Sequence, residues 1–428
     1  TIGSAAAPTS FDVGTNAGTP AGDIWTGALP SGNDNWSIPD NWQDISAPSE
    51  TETVVFNAID PGGRSVVDPA FQGTIAGLVD TGEAAHTLEF ERMLQVDGPV
   101  SIHTANAEGT GALTVLDTQV TLHLTDFNVG YNPAWSGTAT GYLILNSGAV
   151  IDATDVDVLS IGREAGAASN FSTAANGSLT MASNSALHLG TTTTLATLNI
   201  GWSQNGNYYS GGSATGVLDA LAKDAVLDLH LSELNVGRGS LTGFGSGTLK
   251  WDQSEAIAAS TVIFGRGYAT GNLDVPTGGE IHLGSESERI TELLIAYNDA
   301  GNGTASANLD FSVNNPTFTA FVSNDLSIGR EAGAATDAST AANGSLTLAS
   351  NSTLHLGTAA ALATLNIGWS QNGNSFYASG SATGVLDALA KDAVLDLHLS
   401  ELNVGRGTFA GFGTGTLKWD QTEVIAAT

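Results

Sequence analysis

The residues best equipped for chemistry stand in the motif IGREAG, which sets Arg163 beside Glu164 and Arg330 beside Glu331, with GRG recurring at Arg238, Arg266 and Arg406. Clustered carboxylates, or an acid with a neighbouring cation, are what a polysaccharide-degrading β-helix needs for acid–base work. Histidines form a second set: His123, His188, His230, His355 and His398 all sit in Leu-His-Leu, and His282 in Ile-His-Leu. Imidazoles brought together on successive strands bind transition metals. A third set is aromatic, with Trp202, Tyr208 and Tyr209 matched by Trp369, Phe376 and Tyr377. Such rings are stacking platforms for a surface glycan, and their repetition along a rod suits many weak contacts. The acidic loop DATDVD at 152–157 carries oxygen ligands for Ca2+ but lacks the Gly-Gly-x-Gly-x-Asp nonapeptide, so calcium stays open and no cofactor is assigned.

Each of these sets is written more than once. The segment Ser213–Gly239 returns letter for letter as Ser381–Gly407, 168 residues on, and LSIGREAGAA at Leu159 returns at Leu326, 167 residues on. An active site normally occurs once in a chain, whereas architecture is copied in blocks. Arg directly after a Gly, repeated along the chain, reads as a surface column of solvated or ion-paired side chains. In Leu-His-Leu, strand alternation sends Leu inward and His outward, so the histidines read as a solvent-facing ladder. Paired Asp-Asp, Gly-His-Gly and Arg-x-Lys sets are absent from the sequence. The expectation is a protein that is not an enzyme, with no catalytic residue assigned.

What positions these residues is a shorter repeat inside the long one. A β-branched or aromatic residue followed by Gly closes a strand-like run at Gly130, Gly162, Gly201, Gly237, Gly265, Gly329, Gly368 and Gly405, with Tyr297 standing where Gly is expected between 265 and 329. Period-2 alternation broken by Gly, Asn and Ser argues strands. VLDALAKDAVLDL alone would pass for a helix. Its counterparts GSLTLASNSTLHL and GTLKWDQSEAI carry the Ser, Asn and Thr that helix interiors avoid, so it is read as strand. A unit of about 30 residues cannot bury its own apolar face, and stacked copies can. The fold expected is all-β, a parallel β-solenoid (β-helix) of about 10–12 rungs. Its parts are an N-terminal arm at 1–22, a Trp-rich cap at 23–60, first rungs at 61–130, a long repeat at 131–297 and an incomplete second at 298–428.

Composition agrees with a packed, elongated protein. Of 428 residues 41% are hydrophobic and 13% charged, so a continuous core is affordable. There is no cysteine, hence no disulfide or thiolate chemistry. Acidic residues outnumber basic ones 43 to 12, a net charge of −31 that argues against nucleic acid as a partner. No apolar run is long enough for a membrane span, and the first residue is Thr1 rather than Met, so the chain reads as processed after export and extracellular or at the cell surface.

The cap region, DIWTGALPSGNDNWSIPDNWQDISAPSETETVVF, places Trp25, Trp36 and Trp42 ahead of a Val-rich strand. This resembles the opening module of exported bacterial β-solenoids, the autotransporter-associated β-strand repeat and PEP-CTERM-type extracellular proteins. The resemblance covers about 80 residues and implies an exported, elongated, largely non-enzymatic protein. At the other end LKWDQTEVIAAT matches LKWDQSEAIAAS at Leu249–Ser260, where the earlier copy runs on into a further strand. An open rung templates association. The arm carries a matching apolar-x-apolar-Gly run at Phe11, Val13 and Gly14, so it could complete the rung of a neighbouring subunit at Trp419, Val424 and Ile425. The function expected is a head-to-tail homopolymer, a filament or surface fibre; the alternative is a monomeric adhesin or glycan-binding rod.

Overall fold

The structure is a computed structural model and describes residues 22–27, 34–56, 63–80, 86–90, 94–96, 100–102, 108–116, 119–122, 126–132, 137–165, 173–204, 211–240, 242–300, 302–332, 340–371, 380–408, 411–421 and 426–427. Among these the chain coils through parallel strands, arranged as one 21-stranded and one 12-stranded sheet. One rung runs Thr173–Met181, Ala186–Leu189 and Ala196–Ser203, and the next begins at Gly212–Ala220 directly above the first of these. The solenoid therefore has three faces. The 12-stranded sheet is one, and the 21-stranded sheet folds over an edge to make the other two, which strands such as Val226–Arg238 and Thr317–Glu331 cross without a break. The helix-like stretch resolves as the strands Gly212–Ala220 and Val226–Arg238, joined by a turn closed from Ala225 N–H to the Ala222 carbonyl.

Alternation explains the packing. In Thr173–Met181 every second residue is buried, so Ala175, Leu179 and Met181 point inward while Asn176, Ser178 and Thr180 meet water. Registered pairing stacks like on like: Leu198, Leu234, Val262, Leu293, Leu326 and Leu365 form one inward column. One apolar core runs without division from Trp25 to Leu399. Each fully buried Leu or Ile contributes about 1.5–3 kcal/mol relative to exposure.

The turn out of each rung needs a left-handed residue. Gly201 adopts φ 72°, and a Cβ there would collide with the Ser246 carbonyl of the neighbouring face. The same conformation recurs at the other corners, with one correction to the sequence reading: Ala296, φ 59°, takes the corner between Gly265 and Gly329. Tyr297 instead pairs with Arg266 and Arg330 and belongs to the column after the corner. A second difference lies in register. In the first copy Ile151 faces Leu187; its counterpart Phe318 faces Ser352, the counterpart of Ser185. A slip of two residues keeps each side chain on its own side of the sheet, so the core survives it.

Three indoles close the N-terminal end of the core. Trp25 and Trp42 meet edge to face at 5.0 Å, Trp36 and Trp42 at 5.4 Å, and Trp36 packs on Phe71 at 5.3 Å, all fully buried. Trp42 Nε1 donates to the Trp36 carbonyl at 2.8 Å, which fixes the cluster. At the far end, strand Phe412–Trp419 pairs, among the described residues, only with Gly380–Ala388. Leu417 and Trp419 are half-buried there, whereas their twins Leu249 and Trp251 are 1% exposed. No helix among the described residues is long and apolar enough to cross a membrane.

Candidate functional site

The residue after each corner projects outward, and register stacks these residues one per rung: Tyr131, Arg163, Trp202, Arg238, Arg266, then Tyr297, Arg330 and Trp369. The guanidinium of Arg163 lies 5.2 Å from the Tyr131 ring and 4.8 Å from Trp202, whose other neighbour Arg238 stands at 4.7 Å. In the second copy Arg330 sits 5.5 Å from Tyr297 and 4.9 Å from Trp369, and Arg406 lies 5.3 Å from Trp369. Both indoles are thus held between two cations, an arrangement worth about 0.5–1 kcal/mol per contact at half-exposed sites. Their faces are occupied by protein. Tyr208, Tyr209, Phe376 and Tyr377, the other expected glycan contacts, lie outside the described residues, as do Phe11, Val13, Gly14, Val424 and Ile425.

Carboxylates and amides flank the column. Arg163 donates to Gln204 Oε1 at 3.1 Å and faces Asp126 at 3.6 Å; Arg330 pairs with Asp325 at 2.9 Å and Arg406 with Glu401 at 2.6 Å. The alternation breaks where Arg266 follows Arg238 with no ring between them. There Glu233 bonds Arg266 and lies 3.7 Å from Arg238, and Asp299 holds Arg266 at 2.9 Å. Burial and then the Arg266 charge lower the pKa of Arg238. Arg266, despite its own burial, is raised by Asp299 and Glu233. Beneath the arginines runs an amide ladder, Asn235 Nδ2 donating to Asn199 Oδ1 at 3.0 Å and Asn403 to Asn366 at 2.8 Å. Burial pushes the carboxyl of Asp325 up, although Arg330 works against it.

The Arg-Glu pairs of IGREAG separate in space. Arg163 and Arg330 face outward, while Glu164 and Glu331 turn in and are completely buried. Glu164 accepts from Thr173 and Ser203 hydroxyls, each at 2.7 Å; Glu331 accepts from Thr340 at 2.9 Å and Ser370 at 2.7 Å. Sequence reading grouped these residues as one candidate cluster because it counted neighbours in the chain, and the alternation of a strand puts such neighbours on opposite sides.

Histidines, too, are placed otherwise than as a direct pair. His188 faces Asp228, and His230 faces Ala258. The Asp228 carboxylate gives one oxygen to His188 Nδ1 at 3.4 Å and the other to His230 Nε2 at 3.2 Å. Asp396 repeats this between His355 and His398, both at 3.1 Å. The spacer is the Asp two residues before His in Leu-Asp-Leu-His-Leu, a signal present in the sequence and unused. The register slip adds Phe321 over His355, stacked at 4.4 Å. In the acidic loop, Asp152 accepts from its own neighbour Thr154 at 2.8 Å; no group of three or more metal-ligating side chains converges among the described residues. At the cap, burial together with the carboxylates of Asp44 and Glu52 pushes the Asp23 carboxyl up to about 7.

Taken rung by rung, the charged and aromatic residues form repeating lateral ladders, held by contacts between rungs and, at His230 and His398, by an Asp of the same strand. Comparison of the chain with protein-family models, curated proteins and solved structures gave no match.

Proposed function

We propose that this chain is a non-enzymatic extracellular structural protein, a β-solenoid rod that self-associates head to tail into a filament or surface fibre. The observation that carries the reading is the use made of its reactive residues: Arg163, Trp202, Glu164, His188 and their second-copy counterparts all contact neighbouring rungs. A site that acts on a substrate keeps such groups facing a cleft. Glycan capture by Trp202 and Trp369 would have to displace guanidiniums from both faces of each indole. End-to-end addition is favoured by the strand Phe412–Trp419, which among the described residues is paired on one edge and leaves Leu417 and Trp419 half-buried. The resemblance of the Trp cap to exported bacterial solenoids points the same way. The proposed occupant is the segment of residues 1–22 in a neighbouring subunit, through Phe11, Val13 and Gly14. Negative-stain microscopy of the full chain at rising concentration should give rods that lengthen, and a chain lacking 1–22 should stay at unit length. Rods of unit length at every concentration overturn the filament; lengthening by the shortened chain overturns the arm.

A further inference from the structure

The three faces of the rod differ in charge. One bears the arginine column with its acids, the second bears the His–Asp ladder. The outer surface of the 12-stranded sheet departs from both. Over its nine strands from Gly137–Leu145 to Phe412–Trp419, three adjacent outward columns contain no charged residue. The central column descends from Thr140 through Asn176, Thr215 and Ser246 to Thr383 and Thr414. Its neighbours are Ser, Thr, Asn, Ala and Val with a few rings, and charge reappears only in the fourth column, where Lys250 meets Asp219 at 3.0 Å. In a chain with 55 charged residues and a net charge of −31 this is an organised exclusion. These strands show none of the register shifts that interrupt the other sheet between Ala196 and Thr197 and between Ile290 and Glu292, although Ala269–Asp274 pairs with Gly303–Asp310 only from Ala269 to Gly271.

We infer that this face is a lateral interface that packs against the same face of a second copy. Three arguments converge. Rods of like charge repel, and the uncharged columns are the surface on which two can approach without burying an unpaired ion. A partner lying along nine rungs must repeat every ~4.8 Å or its contacts drift out of step, and a second copy has that repeat by construction. The patch measures about 40 Å by about 20 Å, roughly 800 Å² per partner, the size of a standard stable interface. Small side chains of the central column, with the rings of Tyr142, Phe244 and Phe412 in the columns beside it, can interdigitate between two such sheets at about 10 Å separation. This adds a sideways contact to the end-to-end one and does not depend on it.

The test reads particle width, which is independent of length. Thr215 and Thr383 are exposed twin positions in the central column. In negative-stain images and sedimentation velocity of the full chain, double-width particles should form as salt rises to screen the like charges. Thr215→Asp with Thr383→Asp should abolish them while leaving length, circular dichroism and melting unchanged. Thr215→Lys with Thr383→Lys should abolish them too, since a charge of either sign is stranded in the contact. Thr192→Asp, at an exposed turn off the patch, should leave width untouched. Single-width particles in the unaltered chain at all salt concentrations, double width retained by both double variants, or double width restored by Lys alone would each overturn the proposal; the last would mean that bulk repulsion, not this surface, sets the pairing.

Discussion

At the scale of single residues, the difference between chemistry and architecture lies in what a side chain touches. Trp202 looked like a ligand platform because its indole is large and repeated; in the fold it separates two guanidiniums that would otherwise repel. Trp202→Leu keeps an apolar group but removes both cation–π contacts, and should lower stability by about 1–2 kcal/mol in urea unfolding. Trp202→Phe should recover part of it. Glu164 gives the opposite lesson, since a fully buried carboxylate is acting as an acceptor for two hydroxyls. Glu164→Ala strands Thr173 and Ser203 and should cost about 3 kcal/mol, whereas Glu164→Gln, which keeps an acceptor, should cost less. Asp23 makes a pH prediction. Its carboxyl, raised to about 7 in the fold from an ordinary 3.8, holds a proton that the unfolded chain releases. That contribution is complete below pH 3.8 and is lost as pH rises through 7. Asp23→Asn should therefore raise the melting temperature at pH 8 more than at pH 5, and an equal effect at both would refute the assignment.

At the scale of elements, strands and corners were legible because alternation and left-handed glycines are written directly into the residue pattern. The stretch VLDALAKDAVLDL shows why repeats outrank local propensity: its helical look is overruled by the partners it must stack on. Register was not legible. Nothing local distinguishes Ile151 facing Leu187 from Phe318 facing Ser352, because a two-residue slip preserves the buried side, and the choice is made by packing across rungs. The corner at Ala296 was missed for a related reason, since Tyr297 and Ala296 differ by one position and only pairing with Arg266 and Arg330 shows which one turns. Corners also separate two costs of adding a Cβ. Gly278 has φ 67° with open space around it, so Gly278→Ala should cost only backbone strain, about 1–2 kcal/mol. Gly201, at φ 72°, faces the Ser246 carbonyl as well, so Gly201→Ala should cost clearly more in the same thermal melts.

At the scale of the whole molecule, a solenoid is close to one-dimensional: each rung is stabilised by the two beside it, and stability at any level reports on its neighbours. The sequence showed a long block written twice with a shorter strand–Gly repeat inside it, and that reading carried the fold class. It could not reveal the ladder of alternating cations and rings, which exists only once the residues after Gly162, Gly201 and Gly237 are laid in one line. Nor could it reveal the uncharged face, whose columns are drawn from residues more than twenty positions apart. The copies allow an internal comparison that tests the one-dimensional picture. Strand Phe244–Trp251 is paired on both sides with its core residues sealed, and Phe412–Trp419, nearly the same sequence, is paired on one side among the described residues, with Leu417 and Trp419 half-buried. Sequence and intrinsic propensity are matched, so a difference in amide exchange reports the difference in pairing. In dilute solution the amides of Phe412–Trp419 should exchange at least tenfold faster than those of Phe244–Trp251. Raising the concentration until rods lengthen should protect the terminal strand and leave its twin unchanged; equal exchange in the two strands at low concentration would mean that the last rung is stabilised without a partner above it, and the case for end-to-end growth would fall with it.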